Sequence, residues 1–162
     1  MKIFIFICLI TTQMLFSSVT KHTMLPYTEM HSLFNSLDSY AIKMGDGEKK
    51  VFVFLDPKCK FSRKFMKKVT ENPYMLKKYQ YHIFLYEIPR LKTNNLIHYV
   101  YQSKTPLKEL KRIMLENNNP SFKEEFTSQT KSIVASIKEI ATKLSVHKRP
   151  YIVVAEYNNG KN

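Results

Sequence analysis

Apolar residues along this chain switch between two spacings, and the switches divide it into elements. Behind Thr28, residues Met30, Leu33, Phe34, Leu37, Ala41 and Ile42 recur at near-helical intervals. They predict a helix over residues 28–44, capped by that threonine. Gly45-Asp46-Gly47 breaks the pattern. Residues 51–55, Val-Phe-Val-Phe-Leu, are continuously apolar and rich in strand formers, so they read as a buried strand that Asp56-Pro57 ends. Helical spacing returns from about Cys59 with Phe61, Phe65, Met66 and Val69, until Asn72-Pro73 interrupts or restarts it.

Residues 81–88 predict a second strand, closed by Pro89. A helical stretch follows. Leu96, Ile97 and Val100 begin it, and Thr105-Pro106 starts a second piece with Leu107, Leu110, Ile113 and Met114. After the turn at residues 117–120, residues 121–144 carry the stripe Ile133, Ile137, Ile140, Leu144. Pro150 precedes a third strand over residues 151–155, and Asn158-Asn159-Gly160 reads as a turn. Helix, strand, helix, strand, helical block and strand make an α/β domain, with the first two strands parallel.

The first eighteen residues follow another logic. Lys2 leads into the apolar run Ile3 to Ile10, and small residues appear at Ser17 and Ser18. This predicts a secretory signal over residues 1–18 and a periplasmic or secreted protein, or a membrane-anchored one where the signal is not cleaved. Cys8 is then an apolar residue of the signal core. Removing the signal leaves Cys59 as the one cysteine, which excludes an internal disulfide framework.

Composition adds two constraints. The 162 residues suffice for one domain with a hydrophobic core, and three glycines leave little for a Gly-rich phosphate loop. Lys and Arg outnumber Asp and Glu 26 to 13, a net charge of +13, which favours anionic partners. The basic residues are scattered, so no nucleic-acid arm is expected. His22, His31, His82, His98 and His147 show no metal-ligand spacing, and neither a metal nor another cofactor is called for. His147 reads as a loop residue.

The chemistry concentrates around Cys59. A cysteine between a buried strand and a helix start meets free N–H groups and the positive end of the helix dipole, which favour thiolate over thiol. Lys58, Lys60, Arg63 and Lys64 add positive potential, and lysines on both sides predict an accessible thiol. Asp56 reads either as a buried group tuning the site or as a turn former before Pro57.

Three segments resemble the thioredoxin superfamily, in particular its periplasmic disulfide isomerase and oxidoreductase (Dsb) branch. The first is the Phe-rich strand with Asp56, Cys59 and Phe61, matching a pattern of Asp three positions before a Cys-x-x-Cys with an aromatic third residue. The second is Tyr86-Glu87-Ile88-Pro89-Arg90-Leu91, similar to the strand and proline before an inserted helical subdomain. The third runs from Leu144 to Val154 and resembles the cis-proline loop and its following strand, with Pro150 in the proline's place. Behind the signal over residues 1–18 and a helical segment over 19–48, the resemblance implies a thioredoxin-like domain over 49–162 with a helical insertion at about 93–145.

Three departures shape the function. Ser62 stands where the family has its resolving cysteine, Arg149 replaces a small or β-branched residue before the proline, and the chain stops soon after the third strand. A fold lacking the last strand and closing helix is therefore expected. The resemblance implies Cys59 as nucleophile. Ser62 could donate a hydrogen bond to its thiolate, or it records a loss of redox activity. Phe61, Arg149 and Pro150 are implied as substrate contacts, Arg149 beside the thiolate or against an acidic segment. A site with one thiol cannot oxidise or reduce a substrate alone. It can isomerise disulfides or exchange with a small thiol or a redox partner protein, its substrates being exported proteins with cysteines. The alternative is a redox-inactive binding module of an envelope assembly for secretion or conjugation.

Overall fold

The computed structural model describes residues 26–121 and 125–155. The predicted signal, Cys8 and the turn at residues 158–160 lie outside the described residues.

Helix α1 spans Tyr27–Leu37, with Pro26 rather than Thr28 at its N-cap. It stops seven residues short of the expected end. A 3₁₀ turn, Asp38–Tyr40, leads into a short strand, β1, at Ile42–Met44. Ile42 and Met44 are buried while Lys43 between them is exposed. That is strand alternation, hidden in sequence because Ala41 and Ile42 also fit the helical stripe. The turn is tied down by its charges: Lys43 bridges Asp38 at 3.2 Å, and buried His82 lies 2.5 Å from the other Asp38 oxygen.

Strand β2 is Lys49–Leu55 and β3 is Tyr79–Leu85. Between them run α2, Lys60–Thr70, and α3, Pro73–Lys78, the latter capped by Asn72 accepting the Met75 N–H. Then come α4 at Asn94–Gln102, α5 at Pro106–Leu115, α6 at Ser128–Lys143 and β4 at Tyr151–Val154. Helix α6 begins seven residues later than the spacing predicted, because Thr127 caps it by accepting the Thr130 N–H. The sheet order is β1-β3-β2-β4. As expected, β2 and β3 are parallel, and both outer strands are antiparallel to their neighbours.

The sheet has two covered faces, and residue parity sorts them. Val51, Val53, Leu55, Tyr81, Ile83 and Leu85 pack with α2, α4 and α5. Phe52, Phe54 and Phe84 pack with α1, α6 and Val146. Phe34 of α1 stacks on Phe52 with ring centroids 4.4 Å apart. In β4 the second face takes Tyr151 and Val153, while Ile152 and Val154 remain about half exposed. No strand follows β4 among the described residues. No helix among them is long and apolar enough to cross a membrane.

Candidate thiol site

The site forms where β2 leaves the sheet. Asp56 is fully buried at the strand end. Its Oδ1 accepts the Lys58 N–H at 2.9 Å, an Asx turn that reverses the chain. Its Oδ2 accepts the Ile88 N–H at 2.5 Å and the Thr93 hydroxyl at 2.9 Å. One carboxylate thus ties together the thiol loop, the segment after β3 and the approach to α4. This explains why β3 ends at Leu85 rather than Ile88. Tyr86 still donates its N–H to Leu55, but the next amide that could continue the ladder, Ile88, is claimed by Asp56. Asp56 is both a turn former and a buried clamp.

Cys59 occupies the N-cap of α2 in extended backbone conformation, and its carbonyl accepts the Arg63 N–H. The thiol therefore sits among the free amides that open the helix. It is the free cysteine among the described residues and only 7% exposed, so the expectation of an open thiol is corrected. The lysines beside it do point outward, but the loop before β4 closes over the sulfur. Cys59 Sγ donates to the Arg149 carbonyl at 3.7 Å. The Arg149–Pro150 peptide bond is cis.

Ser62 is fully buried one turn along α2, and its Oγ accepts the Asp56 N–H at 3.2 Å. It makes no hydrogen bond to Cys59, contrary to the expectation from sequence. The hydroxyl stitches α2 to the end of β2 instead. Phe61 is 58% exposed beside the thiol, with the Lys60 ammonium 5.0 Å from its ring centre.

Arg149 is near Cys59 through its backbone, while its side chain turns away. The guanidinium donates to the carbonyls of Tyr86, Glu87 and Val146 and lies 4.1 Å over the Tyr86 ring. Burial lowers its pKa from the ordinary arginine value, opposed by Tyr86, Asp56 and Cys59. Through these three bonds Arg149 pins the loop over Cys59. Sequence reasoning missed two other organisers. Thr93 is the N-cap of α4, but its hydroxyl goes to Asp56 rather than to a helix amide, a partner far away in the chain. Arg63 donates to the carbonyls of Pro57 and Ile113 and to the Asn117 side chain, locking α2 to α5. His147 is exposed in the loop, with Nδ1 against the Ser145 carbonyl. No group of three His, Cys, Asp or Glu residues is placed to hold a metal among the described residues.

The thiol thus sits at a helix start after the second strand and faces a cis-proline loop before the fourth. The family model of the thioredoxin-like domain matches residues 38–162. The chain belongs to the thioredoxin-like family. Solved structures with the same fold include a disulfide interchange protein from Neisseria gonorrhoeae, with 20% identity over 71% of this chain and 79% of that one and a TM-score of 0.54. ScsC from Proteus mirabilis in a compact conformation gives 13%, 84%, 73% and 0.64 in the same order. DsbG from Helicobacter pylori gives 14%, 79%, 61% and 0.54. At these identities the likeness is one of fold, shared with proteins of the Dsb type. None of the curated proteins compared with the chain matches it.

Proposed function

We propose that this thioredoxin-like protein is an exported monothiol exchanger that reshuffles disulfides in envelope proteins through Cys59. The observation that carries the reading is the position of Cys59 Sγ, at the N-cap of α2 and 3.7 Å from the Arg149 carbonyl beside Pro150. The names of the solved neighbours support it, since one is a disulfide interchange protein and another, α-DsbA2 from Wolbachia pipientis, a thiol-disulfide exchange protein. The basic and apolar start of the chain supports export.

In this reading the Cys59 thiolate attacks one sulfur of a substrate disulfide. A Cys59–substrate disulfide forms, the substrate S–S bond breaks, and the second substrate sulfur leaves as thiolate. A different substrate thiolate then attacks the mixed disulfide and returns Cys59 as thiolate. Electrons balance within the substrate, so no resolving cysteine is needed. Ser62 holds the loop, Phe61 offers an exposed apolar contact, and the Arg149–Pro150 backbone lies where a substrate segment would meet the sulfur. Glutathione or a redox partner protein could also release the mixed disulfide.

A second reading, a redox-inactive binding module, is favoured by the near-complete burial of Cys59. Reactivation of a substrate with scrambled disulfides separates the two. The exchanger reading predicts reactivation by the parent protein and none by Cys59→Ala. Equal recovery with both, at matched folding, would favour the binding module.

A further inference from the structure

An open groove of about 850 Å³ lies between the sheet edge and α5, two strands away from the strand that carries the thiol loop. Its apolar walls are Ala41 and Ile42 on one side and Pro106 and Leu107 on the other. Three features define what it fits. The first is a strand edge: β1 pairs with β3 on one side only, so its outer backbone groups have no strand partner among the described residues. The second is length. Helix α5 has ten residues, about 15 Å of rise, which spans roughly four or five residues of extended chain.

The third is charge. Among the described residues four cations and one acid, Glu116, line the groove. Two of the cations are already answered: Lys43 by Asp38, and Arg112 by Glu109 at 2.6 Å. Lys108 and Lys111 form no salt bridge with a described residue, so they leave the rim positive. Among the described residues that line the groove none is aromatic, so they offer no stacking surface of the kind a single-stranded nucleic acid uses. A lipid headgroup would have no use for a strand edge.

We propose that the β1–α5 groove docks an acidic, extended segment of a partner polypeptide, which adds as a strand to β1 while Lys108 and Lys111 pair with its carboxylates. Backbone bonds to β1 supply the register, and the apolar walls take alternate side chains. The lysines raise the encounter rate and reject basic segments. Nothing in this docking requires Cys59 to be reactive.

The test is fluorescence polarisation of the full exported chain with a labelled peptide of alternating glutamate and valine. Binding is expected, weakening as salt rises. The double variant Lys108→Glu/Lys111→Glu should bind at least about tenfold more weakly, with circular dichroism and Cys59 alkylation as in the parent. A peptide N-methylated at alternate amides, tested on the parent protein, should lose binding although its charge is intact. The proposal is overturned if a lysine–valine peptide binds equally, or if the double variant binds as the parent does. It is also overturned if the N-methylated peptide keeps its affinity, or if phosphatidylglycerol vesicles or an oligonucleotide bind through these lysines while the acidic peptide does not.

Discussion

Asp56 and Ser62 show how much of the site rests on buried hydrogen bonds rather than on the sulfur. The Asp56 carboxylate answers two backbone amides and a hydroxyl from three segments. Asp56→Ala strands those donors in the interior, so a loss of about 2–4 kcal/mol is expected in urea unfolding. Ser62 fills the family's second-cysteine position while bonding to the backbone rather than to Cys59. Positions three apart at a helix start lie about 5–6 Å from each other, within reach of a disulfide. Ser62→Cys should therefore form an internal disulfide with Cys59 and show insulin-reducing activity above that of the parent under a dithiol reductant. A thiol count before and after reduction checks it. The sequence exposed Cys59 and its helix start because both are local. It could not reveal that Arg149 contributes its carbonyl while its guanidinium faces elsewhere, because Tyr86 and Glu87 meet it only through the folded sheet.

At the scale of elements, continuity decided what could be read. Strand β2 and the helices α2 and α5 announce themselves by unbroken apolar runs or clean helical spacing. Strand β1 has three residues, too few for alternation to separate from the end of a helical stripe. Its existence depends on pairing with β3 and on the turn that follows. Gly45 there adopts φ 84, and Gly47 packs so closely that an added Cβ would lie 2.1 Å from the Lys78 carbonyl carbon. Gly47→Ala should push β1 and α3 apart. Loss of amide protection along Ile42–Met44 in hydrogen exchange is the expected outcome, with β2 and β4 retained.

Across the whole molecule, two covered faces meet at one sheet, and the pair Asp38–His82 joins the end of α1 to its buried aromatic side. Burial lowers the His82 pKa, against the pull of Asp38 and with Lys50 and Lys43 in support. Burial also works against the Asp38 carboxylate, but His82 and Lys43 outweigh it and hold its pKa below the ordinary value. The unfolded chain takes up a proton near pH 6.5 that folded His82 resists. Stability contributed here is thus present above about pH 6.5 and declines as pH falls below it, by at most about 1.4 kcal/mol per pH unit for one proton. His82→Phe should flatten that limb of a stability–pH profile. The fold class was legible from element order alone, whereas this long-range pair was not, since its partners are far apart in the chain. The most direct test of the central claim is a peptide map of the native protein after incubation with oxidised glutathione. The account predicts one glutathione on Cys59, released when a peptide thiol is added. A folded protein that stays unmodified, while the same chain in urea takes up glutathione, would contradict it.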